Sequence, residues 1–595
     1  NGNVISGNDA NGISIVNSNT TNILSNRIGT DSSGSSAIGN SLDGVFISGS
    51  DNTNVGGNTN GDGNIISGNL QNGVAIEGGD NNQIIDNNIG LNAAGNADLG
   101  NTLNGVSVSN STNTQIGNNG NGNVISGNDA NGISIVNSNT TNILSNRIGT
   151  DSSGSSAIGN SLDGVFISGS DNTNVGGNTS GDGNLISGNN ADGVHISNNS
   201  STTSILGNLI GTNATGLMAI GNSGDGVEVN NSSTTKIGDG TDSGLNVISG
   251  NEQNGVYINN LSINNTVQGN YIGTDATGLL PNPNVENGIR ITNSFSNLIG
   301  GYSENLGNTI AYNGQTGVWV ESGDFNGILT NSIFSNGELG IDLVDKGVDP
   351  NDLGDPDLLA NLQQNYPVLT YAVPFGDSQT ILGGTINTLP NLTFTIQFFR
   401  NMIPDPSGFG EGRVFVTSTV VSTDGSGNAS FEVVIPDTGL GDFISSTATD
   451  PFNNTSEFSG NIQVSTITFP SPQNPLSPFP FIFVESHTSM MGSGLMASSG
   501  NPWGFLGIDF KNQMTSTGDN IGFSWLVPYQ NFLSEELITK PVPSTLYIND
   551  RTFDRVTQAL DTASETLGIP TTTAEVHESI TELSIDGPSV NPKNP

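Results

Sequence analysis

Residues 1–59 recur without a single change as residues 121–179, and identity ends at Asn60 against Ser180. Fifty-nine residues copied without drift at a spacing of 120 imply a chain that varies in length by whole blocks. They also make Asn1, which is not Met, an expected cut inside a longer array. Inside the block runs a finer repeat, and periods of about 20–50 residues restrict a chain to stacked units. A Gly followed by alternating aliphatics stands at Gly12, Gly44, Gly73, Gly105, Gly132, Gly164, Gly193, Gly226, Gly255, Gly288, Gly317 and Gly340. The steps are 27–33 residues, with a last one of 23. A second marker, Asn-x-Ile, keeps pace at Asn3, Asn26, Asn64, Asn87, Asn123, Asn146, Asn184, Asn208, Asn246, Asn270, Asn308 and Asn331.

Alternation over three or four residues, punctuated by Gly and Asn, spells short strands joined by turns. A strand this short cannot bury itself, but stacked coils bury a continuous column. Ile13 and Ile15 then lie under Val45 and Ile47, and those under Val74 and Ile76. Each such side chain contributes roughly 1.5–3 kcal/mol, so a chain only 32% hydrophobic can still fold. The fixed Asn position is expected at a tight turn, where Asn tolerates the left-handed conformation and its amide bonds the Asn above. The fold class is therefore all-β, a parallel β-solenoid of about twelve coils over residues 1–345. At about 4.8 Å per coil the rod is roughly 55–60 Å long.

On these residues the chain resembles the right-handed parallel β-helix family, whose asparagine ladder Asn26 and its equivalents match. Handedness is implied by that resemblance.

Composition narrows the partners. Only 12 Lys and Arg stand against 54 Asp and Glu, a formal charge of −42. Nucleic acid and anionic membrane surfaces both require basic footprints, so neither is expected as a partner. No apolar run approaches the length of a membrane span. There is no Cys, so disulfides are excluded.

After Leu343 the repeat stops. Residues 346–365 form an acidic cap or linker, with Asp345 to Asp357 placed to cover the open end of the stack. Residues 366–466 carry longer alternating strands, Leu392–Phe399, Val414–Ser418 and Ala429–Ile435, which suggest a β-sandwich. Asp424-Gly-Ser-Gly-Asn428 reads as a hairpin turn. A Pro-rich spacer follows over 467–480, then a C-terminal region, 481–595. There Phe553, Val556, Leu560, Ala563 and Leu567 predict a helix at about 550–567, and the end from Asp586 to Pro595 is expected to be disordered. The order of solenoid, Asn365-Tyr-Pro-Val-Leu369, Pro406-Ser-Gly-Phe-Gly-Glu-Gly412 and Ala448–Phe458 resembles large secreted bacterial β-helix surface proteins with an appended immunoglobulin-like module. That resemblance implies secretion or surface display.

Between the buried aliphatics one residue per coil points outward: Ser14, Phe46, Ala75, Ser107, Ser134, Phe166, His195, Glu228, Tyr257, Arg290, Trp319, Asp342. From His195 to Asp342 all six are aromatic, charged or imidazole, and Glu321 adds a carboxylate. Stacked about 4.8 Å apart, Tyr257 and Trp319 suit a sugar chain lying along the rod. In polysaccharide-acting members of the resembled family the cleft lies on this face. The plain structural alternative is that Glu228, Arg290 and Asp342 pair across the Tyr and Trp.

Catalysis is poorly supported. A hydrolase needs two carboxylates about 5–9.5 Å apart, whereas Glu228 and Asp342 are four coils, roughly 19 Å, apart. Only Glu321 with Asp342 approaches the requirement. A polyuronate lyase needs clustered bases, and Arg27, Arg147, Lys236 and Arg290 are not neighbours. The three His, at 195, 487 and 577, fall in unrelated segments, so no metal site is expected. The Gly-Thr-Asp-x-x-Gly loops at Gly29, Gly149 and Gly273 are better explained by turn chemistry, with weak Ca2+ as the residual expectation.

The first reading is thus a secreted or cell-surface structural or adhesive repeat protein, a stalk or fibre component whose partners are a surface polysaccharide or its own copies. An exposed strand edge at the first coil suits end-to-end stacking. The rival is a polysaccharide-degrading lyase or glycoside hydrolase using the strip from His195 to Asp342.

Overall fold

The structure is a computed structural model that describes residues 2–59, 61–376 and 378–466. Of the rest it describes only the backbone of five short strands. Residues 1–467 form one compact unit and 468–595 another. In the second unit, Glu485–Ser486 pairs with Ile521–Gly522, and Trp503–Leu506 lies between Leu495–Ala497 and Leu526–Pro528, all antiparallel. The expected helix at 550–567 and the end at 586–595 lie outside the described residues. Among the described residues no helix is long and apolar enough to cross a membrane.

The repeats form a right-handed parallel β-solenoid. Three sheets run along it: one of 12 strands from Val4–Ile5 to Ser332–Phe334, a broad one of 12 from Ile13–Val16 to Ile341–Leu343, and one of 11 from Asn22–Ile23 to Gly327–Leu329. Parallel register runs without slip along the broad sheet: Ile133 lies beside Val165, and Ile135 beside Ile167. Inward positions form one Ile/Val core, in which Ile133, Ile135, Val165 and Ile167 have no exposure.

Two asparagine ladders flank the first sheet. In one, the Asn123 Nδ2 and backbone N both donate to Asn146 Oδ1 at 2.9 Å, and Asn146 does the same to Asn184 at 3.0 and 2.9 Å. The other column, Asn40, Asn69, Asn101, Asn128, Asn160 and onward to Asn313, makes the same rungs and was not distinguished by the Asn-x-Ile signature. The expected left-handed conformation of the ladder asparagines is corrected. At alternate rungs a left-handed residue precedes the Asn instead: Ser25 (φ 61°) before Asn26, Asp86 (φ 60°) before Asn87 and Ser145 (φ 61°) before Asn146. The bend is taken one residue early, which leaves the Asn amide directed along the stack.

Beyond the solenoid, two antiparallel sheets share one core. Val368–Phe375, Gln379–Asn387 and Asn428–Pro436 make one sheet; Val414–Ser422, Thr393–Asn401, Phe443–Thr449 and Ile462–Gln463 make the other. Leu382, Ile386 and Ile435 meet Phe394, Ile396, Phe398 and Ile444 between them. The Asp424 turn is not a hairpin. Its flanking strands belong to different sheets, Val414–Ser422 pairing with Thr393–Asn401 and Asn428–Pro436 with Gln379–Asn387. Asp424 Oδ1 accepts from the Ser426 and Asn428 amides at 2.8 and 3.0 Å, which reverses the chain but leaves strand pairing to the core.

This sandwich closes the last coil. Phe399 and Phe458 join the solenoid core together with Ala360. Glu411 Oε1 accepts from the Asn336 backbone N at 2.9 Å, ending one Asn ladder, and Asn361 Oδ1 accepts from Asn326 N at 3.0 Å. The acidic passage expected to cover the end supplies a main-chain contact, Asp349 N to Glu457 Oε2 at 3.1 Å.

Candidate functional site

The outward column stands in one line on the broad sheet, with Phe166, His195, Glu228, Tyr257, Arg290, Trp319 and Asp342 paired coil by coil. The side chains divide that line into three parts.

In the upper part the Arg290 guanidinium lies 5.1 Å from the Tyr257 ring centroid and 4.8 Å from that of Trp319, and Lys346 Nζ lies 5.2 Å from Trp319. Arg290 also donates from Nη2 and Nε to Glu321 Oε2 at 2.7 and 3.2 Å, and Thr292 Oγ1 adds a third donor at 2.8 Å. Burial pushes the Glu321 carboxyl up, but bonds from Arg290 and Thr292 outweigh it and hold the group below its usual range. Arg290 therefore pairs with Glu321 on its own face and not with Glu228 or Asp342. The ring surfaces read as a sugar platform are stacked against cations.

Asp342, at the top of the column, is covered: it is 1% exposed, and the Gly347 amide lies 3.3 Å from both carboxylate oxygens. Burial, reinforced by Asp349 and Glu338, raises it to about 7. Glu321 is thus committed to a cation and Asp342 is enclosed.

The lower part is a cluster of acids about His195. Its Nδ1 lies 3.0 Å from Glu228 Oε2, 3.3 Å from Asp192 Oδ2 and 3.9 Å from Asp163 Oδ2. Burial disfavours the imidazolium, yet these carboxylates together raise His195 above its usual value. Burial first, then Asp192, raises Asp163 to about 6; the same two causes raise Asp225 to about 7. The Phe166 ring packs edge-on against the imidazole, with centroids 5.4 Å apart. Glu228 Oε1 accepts from Asn259 Nδ2 at 2.7 Å and Asn230 Nδ2 at 3.2 Å.

The outward-column reading reaches His195 and Glu228 but not the three aspartates. They belong to a different column, the residue before each repeat Gly: Asn72, Asn104, Asn131, Asp163, Asp192, Asp225, Asn254, Asn287. Reading that column up the stack would have shown three consecutive acids beside a His. The sequence reading finds no metal-ligating set because it looks for paired His. Asp163, Asp192 and His195 nevertheless bring one ligand atom each within 4.8 Å of one another.

The Gly-Thr-Asp loops are saturated by their own donors. Asp31 Oδ1 accepts from the Ser35 amide at 2.9 Å, and Asn213 serves the same turn in its own coil with the Thr215 and Leu217 amides at 3.2 Å. An amide doing the work of the carboxylate speaks for turn chemistry over calcium.

No family model matches the chain. Solved structures similar to it include a tailspike protein (Dettilon gp208) at 15% identity, covering 76% of this chain and 87% of that one with a TM-score of 0.39. Another is the A-module of an Azotobacter vinelandii mannuronan C-5 epimerase (AlgE4), at 13% identity, 54% and 80% coverage and a TM-score of 0.29. A third, the periplasmic alginate epimerase AlgG, has 16% identity, 50% and 73% coverage and a TM-score of 0.28. Likeness at this level carries nothing about activity.

Proposed function

We propose that the chain is a secreted or cell-surface structural and adhesive rod whose coil number sets its reach, with an immunoglobulin-like module at the end of the stack. One observation carries this reading. The two unchanged copies make the same rungs at two heights, Asn26 to Asn64 at 3.1 Å and Asn146 to Asn184 at 3.0 Å. Four coils can therefore be inserted without altering a core position or a ladder partner, because repeat stability is a nearest-neighbour sum. A rod gains length from such an insertion; a cleft gains nothing. The committed state of Glu321 and the enclosure of Asp342 weigh against the rival lyase or hydrolase.

The adhesive part of the proposal rests on the half-buried Tyr257–Arg290–Trp319 stack, whose partner is a surface polysaccharide. The test is to incubate the full chain with a panel of surface polysaccharides, reading retention and product release. Retention without cleavage, lost in Tyr257→Ala/Trp319→Ala and kept in Glu321→Gln, is the expected result. Release of reducing or unsaturated ends, lost in Glu321→Gln or Asp342→Asn, would replace the rod with an enzyme.

A further inference from the structure

We infer that Asp163, Asp192 and His195 form a binding site for one divalent transition-metal ion of the Zn2+ class. The first ground is geometry. A tetrahedral ion with bonds of about 2.0–2.1 Å holds its ligand atoms roughly 3.3–3.4 Å apart. His195 Nδ1 and Asp192 Oδ2 are 3.3 Å apart, and Asp163 Oδ2 is 3.9 Å from the same nitrogen. Small side-chain rotations close the set. Three protein ligands leave a fourth position for water, and Glu228 Oε2 stands beside the set, 3.0 Å from Nδ1.

The second ground is what happens to the ladder. Below this level an Asn can make its rung twice: Asn104 donates from both N and Nδ2 to Asn72 Oδ1, at 3.1 and 3.0 Å, while Asn131 donates to Asn104 Oδ1 from N alone, at 3.1 Å. At Asp192 and Asp225 only the backbone rung survives, Asp192 N to Asp163 Oδ1 at 3.0 Å and Asp225 N to Asp192 Oδ1 at 2.7 Å. One oxygen of each of Asp163 and Asp192 is thus fixed by the stack, and the other is turned to His195. Asp163 is 9% exposed, and its Oδ2 accepts no hydrogen bond among the described residues. None of these carboxylates is paired with Lys or Arg there. His195 is the one side chain among the described residues that can set a positive charge against these stacked acids, and a divalent ion would neutralise more of their mutual repulsion.

The third ground is an internal comparison. The first block has the same aspartate, Asp43, but the next coil carries Asn72 and Ala75 where the second carries Asp192 and His195. Asn72 Nδ2 there makes the ordinary rung to Asp43 Oδ1 at 2.9 Å. An amide and a methyl have been exchanged for a carboxylate and an imidazole in the same coil. The imidazole selects the ion class, since Ca2+ and Mg2+ prefer all-oxygen sites.

The experiment is titration of the full chain with Co2+, Zn2+ and Ca2+, by calorimetry and by the visible absorption of bound Co2+. Expected are one saturable Co2+ site per chain with a tetrahedral spectrum, displacement by Zn2+, and no competition from equimolar Ca2+. His195→Ala, which removes a ligand, should weaken Co2+ by more than the about 10- to 100-fold that loss of an outer-shell partner costs. Asp192→Asn/His195→Ala, which copies the Asn72/Ala75 coil and so folds, should abolish the site without lowering the metal-free melting temperature. Absence of a saturable Co2+ site, equal Co2+ affinity in the double variant and wild type, or equal competition by Ca2+ each overturns the assignment.

Discussion

At the residue scale, two kinds of buried polar side chain in the solenoid are predicted to respond in opposite ways to being made apolar. Asn146 is 1% exposed, receives two bonds from Asn123, and donates through Nδ2 to Asn184 Oδ1 and Ile116 O. Asn146→Leu strands the two Asn123 donors and takes a donor from the Asn184 and Ile116 oxygens, and each unmet buried group costs about 1–3 kcal/mol. The chemical-denaturation midpoint should fall accordingly; an unchanged midpoint would mean the ladder is decorative. Thr141 is equally buried, but its hydroxyl finds no partner among the described residues, as is true of Thr53, Thr114, Thr173, Thr203 and Thr235 in the same column. Removing an unsatisfied hydroxyl without changing shape should stabilise, so Thr141→Val is expected to raise stability by about 1 kcal/mol. A loss in the same denaturation experiment would show that the hydroxyl has a hydrogen-bond partner, ordered water included.

At the scale of elements, the junction of the last coil with the sandwich hinges on buried carboxyls. Glu457 is 3% exposed and accepts from the Leu343 and Asp349 amides at 3.2 and 3.1 Å. Burial, reinforced by Asp342 and Asp349, raises it to about 9, and burial raises Asp342 to about 7. A carboxyl whose folded value lies above its unfolded one binds its proton more tightly when folded. Its contribution is fully present below its usual value of 4.5 and is lost as pH rises to about 9. Hydrogen exchange at the Ile341–Leu343 amides should therefore quicken from about pH 5 to 9 beyond its intrinsic pH dependence, and Glu457→Gln should flatten that excess. Equal slopes in the two proteins would remove Glu457 from the account.

For the whole molecule, the duplication gives a direct test of additivity. Deleting residues 60–179 joins Thr59 to Ser180 through the local sequence that already surrounds Thr179. The product should fold as a rod shorter by four coils, about 19 Å, and small-angle scattering should show the lost length. Aggregation or a lost transition would reveal contacts that reach beyond neighbouring coils. The same deletion sets Asp43 beneath Asp192, so the acid and His195 constellation should survive it.

The sequence alone determined the coil, the core and the lateral position of every strip residue. Each is a periodic property: a residue's place on a coil follows from its offset to the repeat Gly, and identical offsets stack. Periodicity decided that His195 and Glu228 are neighbours, and Arg290 and Trp319 likewise. It could not decide how neighbours use their atoms. Arg290 turned to Glu321 because a carboxylate with a Thr292 hydroxyl beside it lay within bonding reach, and His195 met Asp163 and Asp192 because two columns three positions apart, with Gly193 and Val194 between them in this coil, converge on one face. The end of the stack was the least legible part. Phe399, on a strand, and Glu411, Glu457 and Phe458, on the connections between strands, lie up to 115 residues beyond Leu343, outside any repeat, and what brings them onto the last coil is the need to cover an apolar core and unmet amides. That demand exists only once the solenoid has been built.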